Sequence, residues 1–318
     1  MKRVVHLTSS HPWNDTRIWS KECKSLADAG YDVTLIVPTT ETGRRDGIRI
    51  RPVRPTASRA DRFVKAPPAI LKAALNEPAD LFHFHDPELV PVGLILQALK
   101  APVIYDVHEE TGKSLQTREW IPASIRPAVG KVFDTIDRFA SRFLAGIVSA
   151  TPAIGRHFEE ISQRHSLVQN FPHADELSIA RSGGAYANRP KHFAFVGKVT
   201  AVRGIREMVD AIQITSEHHG SAQLSIAGSF APAGLQDDLE RQPGWQGVDF
   251  KGWCNRQEVS EMLGRARAGL VVFHPAPNHI QAQPNKLFEY MSAGIPVIAS
   301  DFTLWREIVE GAGCGLLV

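Results

Sequence analysis

Three short polar stretches of the sequence contain side chains that could support chemistry. In the first, residues 284–300 (PNKLFEYMSAGIPVIAS), Asn285 and Glu289 lie on one face if the stretch is helical. The free N–H groups at the start of such a helix attract anions, and a carboxylate further along can accept hydrogen bonds from a diol. A sugar nucleotide offers both a phosphate and a diol. The alternative is that Glu289 is a solvated residue at a favourable helix position.

A basic stretch bounded by glycines is the second candidate. Residues 197–204 (GKVTAVRG) follow a predicted strand and open a predicted helix. Gly197 lets the backbone approach a ligand closely, while Lys198 and Arg203 place two cations beside the helix start. A diphosphate leaving group needs such cations, because its negative charge must be neutralised as the bond breaks. The stretch matches neither the Walker loop nor the dinucleotide fingerprint, and a solvated basic loop is the competing interpretation.

Histidines and carboxylates form the third candidate, at the ends of two predicted strands. Residues 83–88 read HFHDPE and residues 106–110 read DVHEE. This mixture could ligate metals, so a two-metal hydrolase is a competing hypothesis. No HExxH or HxxEH spacing occurs, however. His83 and His85 share one strand face, and neighbouring parallel strands would bring His108 near them. We favour hydrogen bonding to a substrate over a catalytic metal, and structural histidines with satisfied hydrogen bonds are the third interpretation.

Two further polar segments allow two interpretations each. Asp15 or Thr16, at the end of the first loop, either caps the next helix or contacts an acceptor. Residues 44–65 contain eight basic side chains and two acidic ones. This cluster either attracts an anionic membrane surface or a phosphorylated acceptor, or forms a solvated face of ordinary elements.

The composition indicates a soluble globular protein with two domains. The chain has 318 residues, of which 43% are apolar and 22% charged. Its net charge of +2 gives no indication of a nucleic-acid partner. Three scattered cysteines form no metal spacing and indicate a reducing compartment. We find no signal-peptide pattern, and no run approaches the ~20 apolar residues of a membrane-spanning helix.

Strand and helix patterns alternate in both halves of the chain, which predicts parallel sheets with both faces covered. We therefore predict an α/β fold of two doubly wound, Rossmann-like domains, residues 1–180 and 192–318, joined by a polar hinge at 181–191. Ligands of such sheets bind at the carboxyl ends of the strands, so two facing sheets would enclose a cleft. Residues 311–318 predict a turn and a strand with no helix after it, and we expect the second domain to be incomplete.

Local signals position the helices that carry the candidate residues. A helix is predicted over residues 17–29 and ends at Gly30. Pro284 suits the first position of a second helix, because its missing N–H needs no partner there. Gly294 suits the left-handed residue after the last turn of that helix.

Taken together, these stretches resemble the retaining GT-B glycosyltransferases of family 4. The resemblance depends on the combination of 197–204 with 284–298 and extends over essentially the whole chain. Residues 8–17, 85–88 and 105–109 resemble the branch of that family that builds bacterial surface polysaccharides. The resemblance implies transfer of a sugar from a nucleotide donor with retention at the anomeric carbon, without a metal or other cofactor.

The resemblance also implies roles for individual residues and domains. The first domain would bind the acceptor and the second the nucleotide sugar. Lys198 and Arg203 would hold the donor diphosphate, Glu289 the ribose hydroxyls, and His108 the donor sugar near the reacting centre. Further donor contacts would come from Gly197, Gln281, Asn285, Lys286 and Leu287. Acceptor-side candidates are Asp15, Arg17, His85 and Glu109.

The sequence departs from the family pattern at two places. The family has a pair of glutamates separated by seven residues, whereas the first of them is Gln281 here. A glutamine can bond a sugar hydroxyl but cannot act as a base, which argues against an indispensable glutamate nucleophile. The first loop also lacks the paired glycines common in the family, and residues 14–17 stand in their place.

We therefore expect a cytoplasmic retaining glycosyltransferase, with a peripheral position on the inner face of the membrane left open. It would add a hexose or N-acetylhexosamine to a lipid-linked or growing polysaccharide acceptor. One alternative is a nucleotide-sugar 2-epimerase of the same architecture. The other is a sugar-nucleotide-binding protein without catalysis.

Overall fold

The computed structural model describes residues 1–116, 121–159, 161–162, 164–173, 175–177 and 186–318. Within these residues the chain divides into two compact units, Met1–Asn170 and Phe171–Val318. Residues 181–185 of the predicted hinge lie outside the described part of the chain. The predicted domain limits at 180 and 192 therefore stay predictions.

The first unit contains a sheet of eight strands with the order β3-β4-β2-β1-β5-β6-β7-β8. All neighbouring strands are parallel except β3, which is antiparallel to β4. The strands are β1 (Arg3–Leu7), β2 (Asp32–Pro38), β3 (Gly43–Arg45), β4 (Ile48–Val53), β5 (Leu81–Phe84), β6 (Val103–Val107), β7 (Gly146–Ser149) and β8 (His165–Leu167).

Helices cover both faces of this sheet, as the alternating pattern predicts. They are a π-helical segment Thr16–Cys23 continuing into α1 (Lys24–Asp28), then α2 (Arg59–Leu75), α3 (Val90–Leu99), α4 (Thr111–Gln116), α5 (Arg126–Ser141) and α6 (Pro152–Phe158). Ile18 and Trp19 pack with strand residues in one apolar cluster, and Phe82 and Phe84 belong to another. The predicted end of the first helix is confirmed, since Gly30 adopts φ +89° just after it.

The second unit contains six parallel strands with the order β11-β10-β9-β12-β13-β14. The strands are β9 (His192–Val196), β10 (Gln223–Ala227), β11 (Val248–Gly252), β12 (Ala268–Val271), β13 (Val297–Ala299) and β14 (Gly315–Leu317). The helices are α7 (Ile205–His219), α8 (Gly234–Glu240), α9 (Arg256–Arg265), α10 (Asn285–Ser292) and α11 (Thr303–Gly311). Both units are thus doubly wound parallel α/β domains, as predicted.

Helix α10 is fixed to the sheet by a buried tyrosine. The Tyr290 ring is fully buried, and its hydroxyl oxygen accepts a hydrogen bond from the Val196 N–H at 3.0 Å. The ring fits because β12 has a glycine beneath it: a Cβ at Gly269 would lie 2.1 Å from the ring. Gly294 adopts φ +70° after the helix, as predicted. Pro284 is the extended N-cap rather than the predicted first helical residue, so the helix begins at Asn285.

None of the helices formed by the described residues has both the length and the apolar character needed to cross a bilayer.

We expect Gly269→Ala to lower the free energy of unfolding by about 1–3 kcal/mol, because the added methyl group must displace the Tyr290 ring. Gly311→Ala is the matched control, since a Cβ at that position meets no atom within 4 Å. Urea unfolding followed by circular dichroism measures both changes. Equal stability of the two variants would show that α10 can move away from β12 at little cost.

Candidate functional site

Two cations of the second unit converge on one aromatic ring beside the end of β9. The Lys286 Nζ lies 4.9 Å from the centroid of the Phe273 ring, and the Arg203 guanidinium carbon lies 5.4 Å from the same centroid. Lys286 comes from the first turn of α10, while Arg203 comes from a short 3₁₀ turn before α7. Among the described residues, no carboxylate lies within 4.0 Å of either cation. The pair therefore forms a positive site suited to an anion.

Gly197 lies beside this positive site and leaves its backbone accessible there. It adopts φ +113°, and a Cβ there would lie only 3.5 Å from the Lys286 Nζ. The glycine therefore exposes backbone beside the ammonium group, where a larger side chain would compete with a ligand. Gly204, in the same predicted motif, adopts φ +71° and packs against the Val272 carbonyl.

Burial makes Lys286 an unusual lysine. Loss of hydration and, to a smaller extent, the neighbouring Arg203 charge lower its pKa to about 7, although Glu289 opposes the change. Burial also lowers the pKa of Arg203. An arriving anion would favour the protonated form of Lys286 and thereby raise its pKa.

Lys198 occupies a different position from the one its motif suggests. Its side chain is exposed, and only its backbone carbonyl contacts Arg203, accepting from Nη1 at 3.1 Å. The described structure brings Arg203 together with Lys286, a residue that we had predicted only as a donor contact. Direct diphosphate binding by Lys198 stays a prediction.

Glu289 is buried and paired, so the interpretation as a solvated helix residue is wrong. Its Oε1 accepts a hydrogen bond from Arg256 Nη1 at 2.9 Å, and Arg256 Nη2 lies 2.7 Å from Glu176 Oε1. Arg256 thus holds the carboxylate in place from α9.

The other predicted donor contacts differ in exposure. Asn285 and Gln281 are exposed at the start of α10 and in the loop before it. Leu287 is fully buried in the core, and its N–H donates to the Pro284 carbonyl at 3.0 Å. Contacts of these residues with a donor stay predictions.

In the first unit, the candidate residues gather around the buried carboxylate of Asp106. Arg17 donates to both of its oxygens, at 2.9 Å from Nε and 2.7 Å from Nη2. The Nε2 of His108 and the Nδ1 of His85 lie 2.5 and 3.1 Å from Asp106 Oδ2. Burial alone would raise the pKa of Asp106, but His108, His85 and Arg17 together hold it well below the usual value.

A chain of histidines extends from this carboxylate into the sheet. His85 Nε2 lies 2.9 Å from His6 Nδ1, and the rings of His6, His83 and His85 lie within 5.2 Å of one another. If His85 donates from Nδ1 to Asp106, its Nε2 accepts from His6. Burial lowers the pKa of His83 and His85 to about 3 and that of His6 well below normal. These three rings are therefore neutral at neutral pH.

The predicted capping role of Asp15 is confirmed. Its side chain accepts from the N–H groups of Arg17 and Ile18 at 2.9 and 3.0 Å. Hydrogen bonds from His11 and Ile18 outweigh burial and lower the Asp15 pKa to about 2. Arg17 is itself buried between Asp106 and the Val168 carbonyl, which accepts from Nη1 at 2.8 Å. Both residues thus have structural partners, and their acceptor contacts stay predictions.

The residues after β5 shape the first loop. Asp86 accepts hydrogen bonds from Thr8 Oγ1, the Ser9 N–H and Ser10 Oγ at 2.7–2.8 Å. Glu88 accepts from Ser9 Oγ at 2.7 Å. The loop therefore has a fixed backbone without the paired glycines of the family. Glu109 is exposed just beyond β6 and His108.

Comparison with known families decides the class of protein. Residues 17–168 match a family model described as a glycosyl transferase 4-like domain, and residues 190–318 match one described as glycosyl transferases group 1. The chain is built from two glycosyltransferase domains.

Individual relatives agree with this assignment. The glycosyltransferase is 26% identical, over 95% of its chain and 76% of the relative, to the phosphatidyl-myo-inositol mannosyltransferase of Mycobacterium leprae. Its fold is similar to that of sucrose-phosphate synthase from Thermosynechococcus elongatus, with a TM-score of 0.74, 16% identity and coverage of 100% and 86% of the two chains. It is also similar to Anabaena HepE in complex with UDP and glucose, with a TM-score of 0.66, 14% identity and the same coverage. These folds are of the GT-B type.

Two overlapping groups in the first glycosyltransferase domain have the composition of a metal site. Ligand atoms of Glu22, His85, Asp106 and His108 lie within 4.8 Å of one another, as do those of His6, Glu22 and His83. A cation in the first group would have to displace Arg17 from Asp106. In the second group, the Nε2 atoms of His6 and His83 and the Glu22 Oε2 are buried without hydrogen-bond partners among the described residues, whereas the Glu22 Oε1 lies 3.0 Å from Arg17 Nε. That group could hold a cation or water.

Most basic side chains of residues 44–65 have acidic partners. Arg44 pairs with Asp32, and Arg62 lies 2.7 Å from Glu88. Other pairs are Arg45 with Glu41, Arg49 and Arg51 with Glu77, and Lys65 with Asp61. These pairs favour the interpretation as a solvated face. A membrane contact through this cluster stays a prediction.

Sequence reasoning missed Arg256, Glu22 and His6, which complete these sites from distant elements. Nothing in the motif around Glu289 points to an arginine 33 residues earlier. His6 does have a signal, because it is a histidine inside an apolar strand whose neighbour, β5, also carries histidines.

The buried histidines predict a stability that depends on pH. A folded pKa of about 3 for His83 lies below its unfolded value, so its contribution is fully present above about pH 6.5 and is lost as the pH falls toward 3. Between about pH 6 and 4, we expect the unfolding free energy of His83→Gln to change less steeply with pH than that of the wild type. The expected difference is about 1.4 kcal/mol per pH unit.

Urea titrations at several pH values measure this difference in slope. His218→Gln, at an exposed histidine, is the matched control and should follow the wild type. If His83→Gln also follows the wild type, His83 is protonated in the folded protein.

Proposed function

We propose that the chain is a retaining glycosyltransferase of family 4, from the branch that builds bacterial surface polysaccharides. It transfers a hexose or N-acetylhexosamine from a nucleotide-sugar donor to a lipid-linked or growing polysaccharide acceptor. The observation that carries this proposal is the pair of cations, buried Lys286 and half-buried Arg203, held beside Gly197 with no carboxylate of the described residues within 4.0 Å. The relative named as a phosphatidyl-myo-inositol mannosyltransferase supports a lipid acceptor.

The donor diphosphate is the anion that this positive site fits. As the bond to the sugar breaks, negative charge grows on the leaving phosphate, and buried Lys286 together with half-buried Arg203 stabilises that charge. The departing phosphate oxygen then takes the acceptor proton, so no protein nucleophile is needed. Gln281, which cannot act as a base, agrees with this mechanism.

Other residues position the substrates. Glu289, held by Arg256, accepts hydrogen bonds from the ribose hydroxyls, since a buried ionised carboxylate binds a diol firmly. His108 contacts the donor sugar near the reacting carbon, and Asp106 fixes its ring by accepting from Nε2 at 2.5 Å. We propose that the reaction needs no metal, because Arg203 and Lys286 supply the positive charge. We also propose a cytoplasmic location, peripheral on the inner face of the membrane.

We expect Arg203→Ala and Lys286→Ala each to lower kcat/KM for the donor about 10²–10³-fold, because each removes one cation from the developing charge. Release of nucleoside diphosphate from UDP-, GDP- and ADP-sugars, assayed with EDTA present, measures the loss. Arg265→Ala, at an exposed cation of the same unit, is the control. A wild-type rate in Arg203→Ala would show that Arg203 does not stabilise the leaving diphosphate.

Lys198→Ala, measured in parallel, reports whether the exposed lysine takes part.

Incubation of the donor without acceptor separates this proposal from a 2-epimerase. A transferase leaves the stereochemistry of the donor sugar unchanged, whereas an epimerase inverts it at C2. Nuclear magnetic resonance of the recovered donor distinguishes the two outcomes.

When the protein binds a nucleoside diphosphate at about pH 8, the complex should take up a proton from the solvent. The free site holds Lys286 mostly neutral there, since its pKa is about 7, and the arriving diphosphate raises that pKa. Uptake should approach one proton near pH 8 and decline toward pH 6, where Lys286 already carries its proton.

Calorimetry in two buffers of different ionisation enthalpy measures this uptake. Lys286→Arg keeps the positive charge but cannot titrate, and it should bind without the uptake. The same uptake in Lys286→Arg would assign the proton to another group.

A further inference from the structure

Helix α5 exposes a row of large apolar side chains along its whole length. Val132, Ile136 and Phe139 are 57%, 57% and 58% exposed, and Ile125 and Phe143 extend the row at its two ends with 47% and 57% exposure. Spacings of seven, four, three and four residues keep these five side chains, the outer row, on one side of a helix. The Phe139 and Phe143 rings touch edge to face at 5.3 Å between centroids.

The opposite side of α5 already holds the helix in the domain. Gly130 packs against α4, where a Cβ would lie 2.6 Å from the Gly112 carbonyl oxygen, and Ala140 and Ser141 are buried. The outer row is therefore not needed for packing inside the domain, and none of the described residues covers it. Contiguous exposed rows of this kind mark an interaction surface.

The charges of α5 are sorted between its two sides. Lys131 and Arg142 are exposed beside the outer row, and Arg138 is half-buried near them. Both acidic residues face inward: Asp134 accepts from the Gly112 N–H at 3.1 Å, and Asp137 is buried. The outward surface of α5 is consequently apolar and positive, with no acidic side chain of its own helix to offset the charge.

We propose that the outer row docks the protein on a bilayer that contains anionic phospholipids. The helix lies parallel to the bilayer surface, its apolar side chains enter the boundary between headgroups and acyl chains, and Lys131 and Arg142 meet lipid phosphates. A bilayer fits better than a protein partner because α5 itself presents no acidic side chain beside these cations, and a headgroup layer supplies negative charge along the whole helix. The basic cluster at 44–65 fits less well, because its side chains are largely neutralised by ion pairs.

This inference builds on the proposed lipid-linked acceptor, because docking through α5 would bring the enzyme to the surface where such an acceptor is embedded. Its test measures binding to lipid alone, so its outcome is independent of sugar transfer.

Vesicle co-sedimentation tests the proposal with the full chain. We expect the wild type to bind vesicles of phosphatidylglycerol and phosphatidylcholine, and Ile136→Gln/Phe139→Gln to lower the partition coefficient about tenfold or more. Lys131→Glu/Arg142→Glu should lower it by at least about tenfold on the anionic vesicles, with a smaller change on pure phosphatidylcholine. All four substitutions are at exposed or half-buried surface positions, and matching thermal midpoints show that the variants remain folded.

Control variants elsewhere in the first domain distinguish binding through the outer row from non-specific binding to vesicles. Val64→Gln removes an apolar side chain of α2 that is more exposed than any of the outer row, at 71%, and Arg51→Glu/Arg54→Glu reverses two charges of the 44–65 cluster. Both should bind vesicles like the wild type. Wild-type binding by Ile136→Gln/Phe139→Gln, or loss of binding in Arg51→Glu/Arg54→Glu, would overturn the proposal. So would a dimer in solution that Ile136→Gln/Phe139→Gln abolishes, because the outer row would then be a protein interface.

Discussion

Repulsion between Arg203 and Lys286 is the constraint on which the second domain's site depends. Among the described residues no carboxylate lies within 4.0 Å of the two cations that share this aromatic ring, and Glu289 offsets their repulsion only in part. As a result of burial and this repulsion, the pKa of Lys286 falls to about 7, and the free lysine loses its proton near neutral pH. Rigid packing maintains the arrangement, because Tyr290 fixes α10 to β9 and β12 while the Gly204 turn fixes the start of α7. The resulting excess of positive charge suits this site to an anionic ligand.

The buried charge of the first domain, the Asp106 carboxylate, has close partners of its own. Asp106 is fully buried, yet Arg17 and two histidines surround its carboxylate with hydrogen-bond partners. The neutral rings of His6 and His83 extend this network without adding charge. The second domain therefore presents a positive site with little compensation, whereas in the first domain the compensated carboxylate of Asp106 fixes the position of His108.

The alternation of strands and helices was enough to predict two parallel sheets, because each element's pattern is local. Gly30 and Gly294 could be predicted as helix ends for the same reason. The second cation beside Arg203 could not be predicted from the sequence. Lys198 lies next to Gly197 in the chain, whereas Lys286 comes close to Arg203 only through the packing of α10. Glu289 resembled a solvated residue because the arginine that neutralises it belongs to another helix. The neighbours of Arg203 and Glu289 thus depend on packing between residues far apart in the sequence, which the spacing of a local motif does not reveal.

The backbone conformation of Gly197 has an evolutionary consequence. Its φ of +113° strains any other residue, whereas a Cβ there would lie at an ordinary contact distance, 3.5 Å, from the Lys286 Nζ. Selection on residue 197 therefore acts through the backbone. In descendants of this sequence the codon for Gly197 should resist replacement even in lineages where residue 286 has changed.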